Sequence, residues 1–223
     1  MPVFVDHDER RRQVVAVASR LIAQAGLDAV TVRDVANAAD CSTAIVSHYF
    51  HNKKELLFLT YQASINRATE RCEAALGSDG MDLRAYFAEI MPLDEERLIE
   101  WKIWVAFWAK AVADPDIAAA QRDCVRRTRG NIVKVFNRLQ AKGALVADLD
   151  VADETRRLLV LIMGMAVQVM FDPEDWPNAR MHALVDGELR KLYRPDRLPA
   201  SLATAVAEPE QRGRRRAMLI ASE

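Results

Sequence analysis

The side chains with the clearest chemical capacity lie together in residues 42–50, where hydroxyl, imidazole and phenol groups repeat at helical spacing. On a helix, their shared outer face would consist of Ser42, Thr43, Ala44, Ser47, His48 and Tyr49. Short side chains let a helix approach base edges in the DNA major groove and contact thymine methyl groups. The pattern therefore indicates non-covalent recognition of duplex DNA, with Thr43, Ala44 and Ser47 as the candidates for reading bases.

Catalytic and metal-binding arrangements are absent from the sequence. No HExxH, GxSxG or glycine-rich phosphate loop occurs. The four histidines are scattered, at His7, His48, His51 and His182. Three cysteines lie far apart, without metal-ligand spacing or a disulfide framework, at Cys41, Cys72 and Cys124. We therefore predict that the chain is not an enzyme and that it uses no metal and no cofactor.

Three helix starts would position the outer face of residues 42–50. Thr31 and Asp34 have the spacing of a capping box, Ser42 can cap a second helix, and Asn52 can cap a third. The inward side of the first two helices is apolar at helical spacing, and consists of Val32, Val35, Ala36, Ile45, Val46 and Phe50. A short helix braced by another in this way is suited to the major groove.

These residues resemble the DNA-binding domain of the TetR family of bacterial transcription regulators. The matching positions are Thr31, Arg33, Ala36, Ser42, Val46, Tyr49, Phe50, Asn52, Lys53, Leu56 and Leu57. The resemblance covers about the first quarter of the chain. It implies DNA contacts by Thr31, Arg33, Ser42, Thr43, Ala44, Ser47, His48, Tyr49, Asn52 and Lys53.

Each of these contacts has a plainer alternative. The three capping residues stabilise helices in any case, and helix N-termini can also bind phosphate. The resemblance implies phosphate contacts for Lys53 and Tyr49, although a lysine can simply be solvated and Tyr49 can pack against the first helix. Arg33 is either a base or phosphate contact or a solvated charge. His48 is either an exposed imidazole or a backbone contact.

Two features depart from the family pattern. The turn of the family usually carries Gly-Val, and this chain has Asp40-Cys41, where Asp40 would take a left-handed conformation at more cost than glycine. Residues 1–60 hold seven basic and seven acidic residues, so the usual basic signature is missing. A DNA-binding role therefore requires Arg33, Lys53 and Lys54 to share the phosphate-facing side.

Composition favours an all-α protein of about nine helices, because hydrophobic residues make up 51% and only eight glycines and eight prolines interrupt the chain. We expect a helix-turn-helix domain at 1–54, a ligand-binding and dimerisation domain at 55–193, and a flexible tail at 194–223 with a basic cluster at 212–216. The predicted helices span 8–25, 32–39, 42–50, 53–76, 82–91, 94–113, 114–142, 150–171 and 178–193.

An aromatic cluster marks the second part of the chain. Trp101, Trp104 and Trp108 share one helical face, which is either a core stripe or one wall of an apolar ligand pocket. The predicted pocket consists of Phe87, Met91, Trp101, Trp104, Trp108, Met163 and Gln168. This part resembles the C-terminal domain of BetI-like regulators, which implies a choline-type ligand, and tryptophan faces attract quaternary ammonium groups. No carboxylate is clearly placed with the aromatic residues.

The last two predicted helices are unusually apolar. The resemblance implies that they form a four-helix dimer interface through Leu158, Ile162, Met165, Val169, Met181, Leu184, Val185 and Leu189. The alternative is that one subunit buries this surface itself. A twofold dimer would face a palindromic operator.

The N-terminus has no apolar signal core, and the longest apolar run, 158–171, is too short to span a bilayer. We therefore expect a cytoplasmic protein without a membrane partner. The resulting prediction is a ligand-responsive, DNA-binding regulator, most simply a repressor released by a small molecule. A corepressor-dependent regulator or an activator is the alternative, and a helical interaction module without specific DNA binding is the more remote one.

Overall fold

The computed structural model describes residues 7–26, 29–77, 80 and 82–203. Its α-helices are α1 (His7–Ala25), α2 (Val32–Ala38), α3 (Thr43–Tyr49), α4 (Lys53–Ala75), α5 (Leu83–Ala88), α6 (Glu95–Ala113), α7 (Pro115–Ala141), α8 (Val151–Phe171), α9 (Asn178–Leu192) and α10 (Ala200–Ala203). These described residues form no β-strand, and an isolated bridge pairs Leu145 with Tyr193. The predicted all-α class is confirmed, and the tenth helix is a short addition.

Side-chain caps determine where most of the helices begin. A hydroxyl, carboxamide or carboxylate oxygen accepts a backbone N–H at the start of seven helices, from Thr31, Ser42, Asn52, Asp82, Asp94, Asp114 and Asp150. Gly26 and Gly143 follow α1 and α7 with φ values of 79° and 66°, which glycine adopts without a steric penalty. The predicted helix boundaries agree closely for this reason.

Helices α1 to α3 pack on one another and on the beginning of α4. Their shared core is fully buried and consists of Val14, Ala18, Val35, Val46 and Leu57. Helix α1 also packs against α6. The first three helices are therefore held to the rest of the chain through both α4 and α6.

Helices α4 to α9 surround a second part of the core, in which Phe87, Phe107, Phe136 and Leu139 are completely buried. Helix α6 lies between α4 and α7 and packs against both. Towards the C-terminal end of α4, Arg71 donates to the Glu100 carboxylate of α6 at 2.6 Å, and Glu100 is only 2% exposed. A buried ion pair of this kind is costly to break, because one charge would remain unpaired. It therefore fixes this end of α4 against α6.

Residues 195–203 pack against the domain, whereas a flexible tail was predicted to begin at 194. The Arg194 N–H donates to the Ala144 carbonyl at 3.0 Å, and Leu202 is completely buried. The Ser201 hydroxyl and the Asp82 carboxylate, which caps α5, are 3.1 Å apart. Burial of Leu202, together with these two polar contacts, holds this segment. The basic cluster at 212–216 lies outside the described residues.

Candidate nucleic-acid interface and internal cavity

The helix that precedes the candidate recognition helix begins with a complete capping box. The Asp34 N–H donates to the Thr31 hydroxyl at 3.2 Å, and the Thr31 N–H donates to the Asp34 carboxylate at 2.9 Å. The hydrogen bond from the Thr31 hydroxyl holds the pKa of Asp34 below its ordinary value. The predicted capping role of Thr31 is confirmed.

A side-chain cap also begins the recognition helix α3. The Ile45 N–H donates to the Ser42 hydroxyl at 3.3 Å, and at the end of the helix the Phe50 N–H donates to the Val46 carbonyl at 2.9 Å. Asn52 caps the next helix, α4, where its side-chain oxygen accepts the Glu55 N–H at 2.8 Å. The turn before α3 contains Asp40 with φ of 47°, so this carboxylate residue does occupy the left-handed conformation expected for it. The two-turn helix is thus specified locally at both ends.

The outer face of α3 is open to solvent. Thr43, Ala44, Ser47 and His48 are exposed, and Tyr49 is half-buried with its ring 5.3 Å from that of His48. Thr31, Arg33, Ser42, Asn52 and Lys53 are exposed as well. The ten predicted DNA-contacting residues therefore lie in α3 or at the starts of α2, α3 and α4, and none is buried in the core.

Ile45 was expected on the buried face of α3, and this prediction is wrong. Val46 is completely buried and Phe50 is 2% exposed, but Ile45 is 37% exposed. Each helical residue turns about 100°, so Ile45 lies at the edge of the face centred on Val46 and Phe50. An apolar side chain therefore borders the outer face.

The two adjacent lysines at the start of α4 have different surroundings, contrary to the expectation that both face phosphate. The Lys54 ammonium lies 2.8 Å from the Asp114 carboxylate and 3.1 Å from that of Asp116, both at the start of α7. Hydrogen bonds to these two carboxylates raise the pKa of Lys54. Lys53 is exposed beside α3. Lys54 thus connects α4 to α7.

A cavity of about 70 Å³ lies between α4, α6, α7 and α8. Four of the predicted pocket residues border it, namely Trp101, Trp104, Trp108 and Met163. Phe87 and Met91 do not, because they fill the core, and Gln168 is exposed on the outer side of α8. The aromatic side of the pocket was therefore predictable, whereas its other side was not.

The polar side of the cavity belongs to α4 and α7. Gln121, Cys124, Thr128 and Asn131 project from α7 at intervals of three, four and three residues, and Tyr61 faces them from α4. The Tyr61 hydroxyl lies 2.6 Å from the side-chain Oε1 of Gln121 and 3.2 Å from the Cys124 sulfur. The helical spacing of these polar residues on α7 is a signal that sequence reasoning missed.

The tryptophan N–H groups of the cavity differ in their partners. Trp101 donates to the Ile90 carbonyl at 2.8 Å, and Trp104 donates to the Ser64 hydroxyl at 2.7 Å. The buried indole nitrogen of Trp108 has no hydrogen-bond acceptor among the described residues. Burial raises the pKa of Tyr61 far above its ordinary value. The Trp108 N–H, which lies near the Tyr61 hydroxyl without meeting hydrogen-bond geometry, and Gln121 lower this pKa by less than burial raises it.

An opening between α4 and α7 adjoins the cavity. It shares Thr128 and Asn131 with the cavity, and its outer edge carries Asn66, Glu70 and Arg127. Charged groups therefore occur where the cavity meets solvent.

The predicted dimer-interface side chains lie inside the subunit. Leu184 is half-buried, and the other seven are at most 6% exposed: Leu158, Ile162, Met165, Val169, Met181, Val185 and Leu189. The argument that one subunit cannot bury these two helices is therefore wrong, because α7 and α5 cover them from the inner side. The exposed apolar residues of α8 are instead Val160, at 70%, and Phe171, at 79%.

In the described part of the chain, no cluster of three or more histidine, cysteine, aspartate or glutamate side chains could hold a metal ion. No helix there has the length and apolar character needed to cross a membrane.

Comparison with known proteins gives two family matches. Residues 14–59 match the family of bacterial regulatory proteins described as the tetR family, and residues 81–194 match the C-terminal domain of BetI-type transcriptional repressors. The Bacillus subtilis HTH-type transcriptional regulator PksA is 28% identical over 176 residues, which cover 78% of this chain and 84% of PksA. The BetI regulator of Burkholderia mallei is 33% identical over 140 residues, which cover 61% of this chain and 72% of BetI.

Solved structures show the same architecture. A transcriptional regulator from Saccharomonospora viridis, whose crystal structure contains choline, superimposes with a TM-score of 0.74 at 25% identity. The match covers 84% of this chain and 99% of that one.

Proposed function

This chain belongs to the TetR family of transcriptional regulators, with a BetI-type C-terminal domain, and we propose that it is a homodimeric repressor that leaves its operator when a small molecule binds. Its relatives are DNA-binding regulators, so the chain is a regulator of the repressor class and not an enzyme. The observation that best supports release by a ligand is that α4 both borders the cavity and begins beside the exposed recognition helix.

Recognition of DNA would combine two kinds of contact. Thr43, Ala44 and Ser47 are exposed on the outer face of α3 and would read base edges. Lys53 and Tyr49 would contact phosphates, which supply much of the affinity and fix the register without reading sequence. The exposed Ile45 lies at the margin of this surface, where it could contact a thymine methyl group or the sugar backbone.

Dimerisation would use the outer sides of α8 and α9. Val160, Gly164 and Phe171 share one exposed face of α8, and Leu184 and Gly187 lie one turn apart on α9. A Cβ atom built on either glycine meets nothing within 4 Å, so these surfaces are open within the subunit. A twofold dimer would hold the two α3 helices about 34–36 Å apart, which is one turn of DNA and requires a palindromic operator.

The small size of the cavity supports a mechanism for release. Ligand pockets usually measure roughly 300–1,000 Å³, whereas this cavity measures about 70 Å³. A ligand of ordinary size therefore needs α4 and α7 to separate. Since Arg71 fixes the far end of α4 against α6, the displacement would be greatest at the end beside α3.

The distances along α4 determine how much larger a displacement would be beside α3 than at the cavity. Tyr61, at the cavity, is ten residues from Arg71, and Lys54 is seventeen residues from Arg71, which correspond to about 15 Å and 26 Å. A rigid rotation about Arg71 would therefore move Lys54 about 1.7 times as far as Tyr61. The ion pairs of Lys54 with Asp114 and Asp116 oppose this movement while the cavity stays small.

Fluorescence anisotropy tests the DNA-binding part of the proposal. Labelled DNA from upstream of the chain's own gene is titrated with the protein at several salt concentrations, beside a shuffled duplex. We expect tighter binding to the upstream DNA, a steep loss of affinity with salt, and weaker binding by a Lys53→Ala, Tyr49→Phe variant. Lys134→Ala, an exposed change on α7, is the control.

Equal affinity for both duplexes, followed by failure of a genome-wide selection to enrich any sequence, would exclude a specific operator. The ligand-release part is tested separately. A small molecule that releases the DNA must bind more weakly to the operator complex than to the free dimer, by the factor by which it weakens DNA binding. Equal affinity for free and DNA-bound protein would refute release by that molecule.

A further inference from the structure

We infer, on the premise of the proposed ligand-responsive function, that the effector is an uncharged molecule carrying a hydrogen-bond acceptor, and that the Trp108 N–H donates to this acceptor. The inference rests on the side chains that border the cavity and on the way its tryptophans pack. It assigns a chemical class to the ligand of this site and excludes quaternary ammonium compounds and anions as effectors.

The interior of the cavity has no charged residue to balance an ionic ligand. Among the described residues that border it, there is no aspartate, glutamate, lysine, arginine or histidine. Transfer of an unpaired ion from water into such a site is strongly unfavourable. Glu70 and Arg127 border the outer opening, not the interior. A small ion would therefore remain at the opening.

Three ionisable groups at the cavity wall, Cys72, Tyr61 and Tyr86, stay neutral. Burial raises the pKa of Cys72 to about 12, and it also raises the pKa values of Tyr61 and Tyr86 above their ordinary range. None of these three groups is therefore ionised at neutral pH to pair with a cationic ligand.

The tryptophans pack on each other and do not surround an empty space. The Trp101 and Trp104 rings meet edge to face with their centroids 4.7 Å apart, and Trp101 and Trp108 meet in the same way at 5.9 Å. Tyr61 is stacked on Phe107 at 3.9 Å. A cation–π site needs ring faces that are accessible to the cation. Here the neighbouring rings cover faces that an ammonium group would use.

One hydrogen-bond donor at the cavity remains to be satisfied. The N–H groups of Trp101 and Trp104 have protein acceptors, whereas the buried Trp108 nitrogen has none in the described part of the chain. A buried donor without an acceptor is unfavourable, so an acceptor brought by a ligand would gain a hydrogen bond that water does not already supply. A carbonyl, ether or hydroxyl oxygen on the ligand would serve.

Three probe molecules of nearly the same shape test how the charge of a ligand affects its binding. Choline, 3,3-dimethylbutan-1-ol and 3,3-dimethylbutanoate share a branched skeleton and carry a positive charge, no charge and a negative charge. Each is titrated into the full-length protein while tryptophan fluorescence is recorded, since three of the four tryptophans border the cavity. We expect the alcohol to bind about tenfold more tightly than either ion, or more.

Two variants test whether the Trp108 N–H donates a hydrogen bond to the bound alcohol. Trp108→Phe keeps an aromatic ring without the N–H and should weaken binding of the alcohol about threefold to tenfold. Trp176→Phe changes a tryptophan that does not border the cavity and should leave binding unchanged. Choline or the carboxylate binding as tightly as the alcohol, no saturable binding of the alcohol, or unchanged affinity in Trp108→Phe would each overturn the inference.

The result is separable from the proposed function, because operator binding is measured without any probe. Specific DNA binding together with preference for an ionic probe would refute the ligand class and leave the repressor in place. Preference for the alcohol in a protein without specific DNA binding would refute the repressor and leave the ligand site in place.

Discussion

The two adjacent lysines at the start of α4 allow a quantitative test of how this chain would contact DNA. Lys53→Ala should remove a phosphate contact, whereas Lys54→Ala should not, because the Lys54 ammonium is bound by Asp114 at 2.8 Å and Asp116 at 3.1 Å. Each phosphate contact contributes about 0.9 to the slope of log affinity against log salt. A dimer carries two copies of Lys53, so its substitution should lower the slope by about 1.8.

That change is large enough to measure. When the salt concentration rises fourfold, the Lys53→Ala variant, with a slope lower by about 1.8, should therefore lose about twelvefold less affinity than the unmodified protein loses. Fluorescence anisotropy on one operator duplex at four or five salt concentrations gives the slope directly. Lys54→Ala should retain the unmodified slope even if its affinity at a single salt concentration changes.

The two substitutions serve as controls for each other. They remove the same side chain at neighbouring positions, so non-specific effects on net charge are matched. The reasoning fails if Lys54→Ala lowers the slope as much as Lys53→Ala does, or if Lys53→Ala leaves the slope unchanged. The oligomeric state of each variant is confirmed by light scattering, since the factor of two assumes a dimer.

Three more perturbations address the recognition helix, the dimer and the pH response. Ser42→Ala removes the cap of α3 and should cost about 1 kcal/mol of stability and weaken operator binding; an unchanged melting temperature in calorimetry would refute it. Val160→Arg should give monomers in light scattering, whereas Val112→Arg, at an even more exposed position on α6, should not; a dimeric Val160→Arg would reject the proposed interface. Burial, and to a smaller extent the nearby Arg84, lowers the pKa of His182 below 6.5 in the folded state. The unfolded state therefore binds more protons than the folded state below that pH, and stability should decrease as the pH falls from about 6.5. His182→Gln should flatten this decrease in urea unfolding measured between pH 7.5 and 5, and an unchanged pH profile would exclude His182 as its source.

Local chemistry explains which parts of the fold could be predicted. Helix starts depend on one capping side chain and the few residues that follow, so Thr31, Ser42, Asn52 and Asp114 located four helices without any knowledge of tertiary structure. The family motif then placed the exposed face of α3.

Features that depend on distant contacts were not predictable in the same way. The role of Lys54 depends on where α7 begins, sixty residues further along the chain. The apolar stripe of α8 and α9 could face either a partner or the same subunit, and only the position of α5 and α7 decides between them. Burial of Leu202 likewise depends on how the segment after α9 folds back.

The candidate pocket likewise has one wall that could be predicted from local sequence and one that could not. Three tryptophans on one helical face identified one wall, because aromatic residues at that spacing are conspicuous in the sequence. The opposite wall combines Tyr61 with polar residues of α7, each ordinary by itself. Only their packing across the gap between two helices gives them a shared role.

Asp40, in the turn between α2 and α3, bears on how many molecules of the protein would be available to its operator. A chromosome presents roughly 10⁶ to 10⁹ competing sites, so the fraction of dimers bound elsewhere depends on affinity for arbitrary sequence. A carboxylate held beside the recognition helix, at a φ of 47° that glycine would adopt more easily, repels every phosphate backbone equally. It would weaken attachment to arbitrary DNA and to the operator by the same factor, so more dimers would be free of DNA. The preference for the operator would then rest on the base contacts of α3.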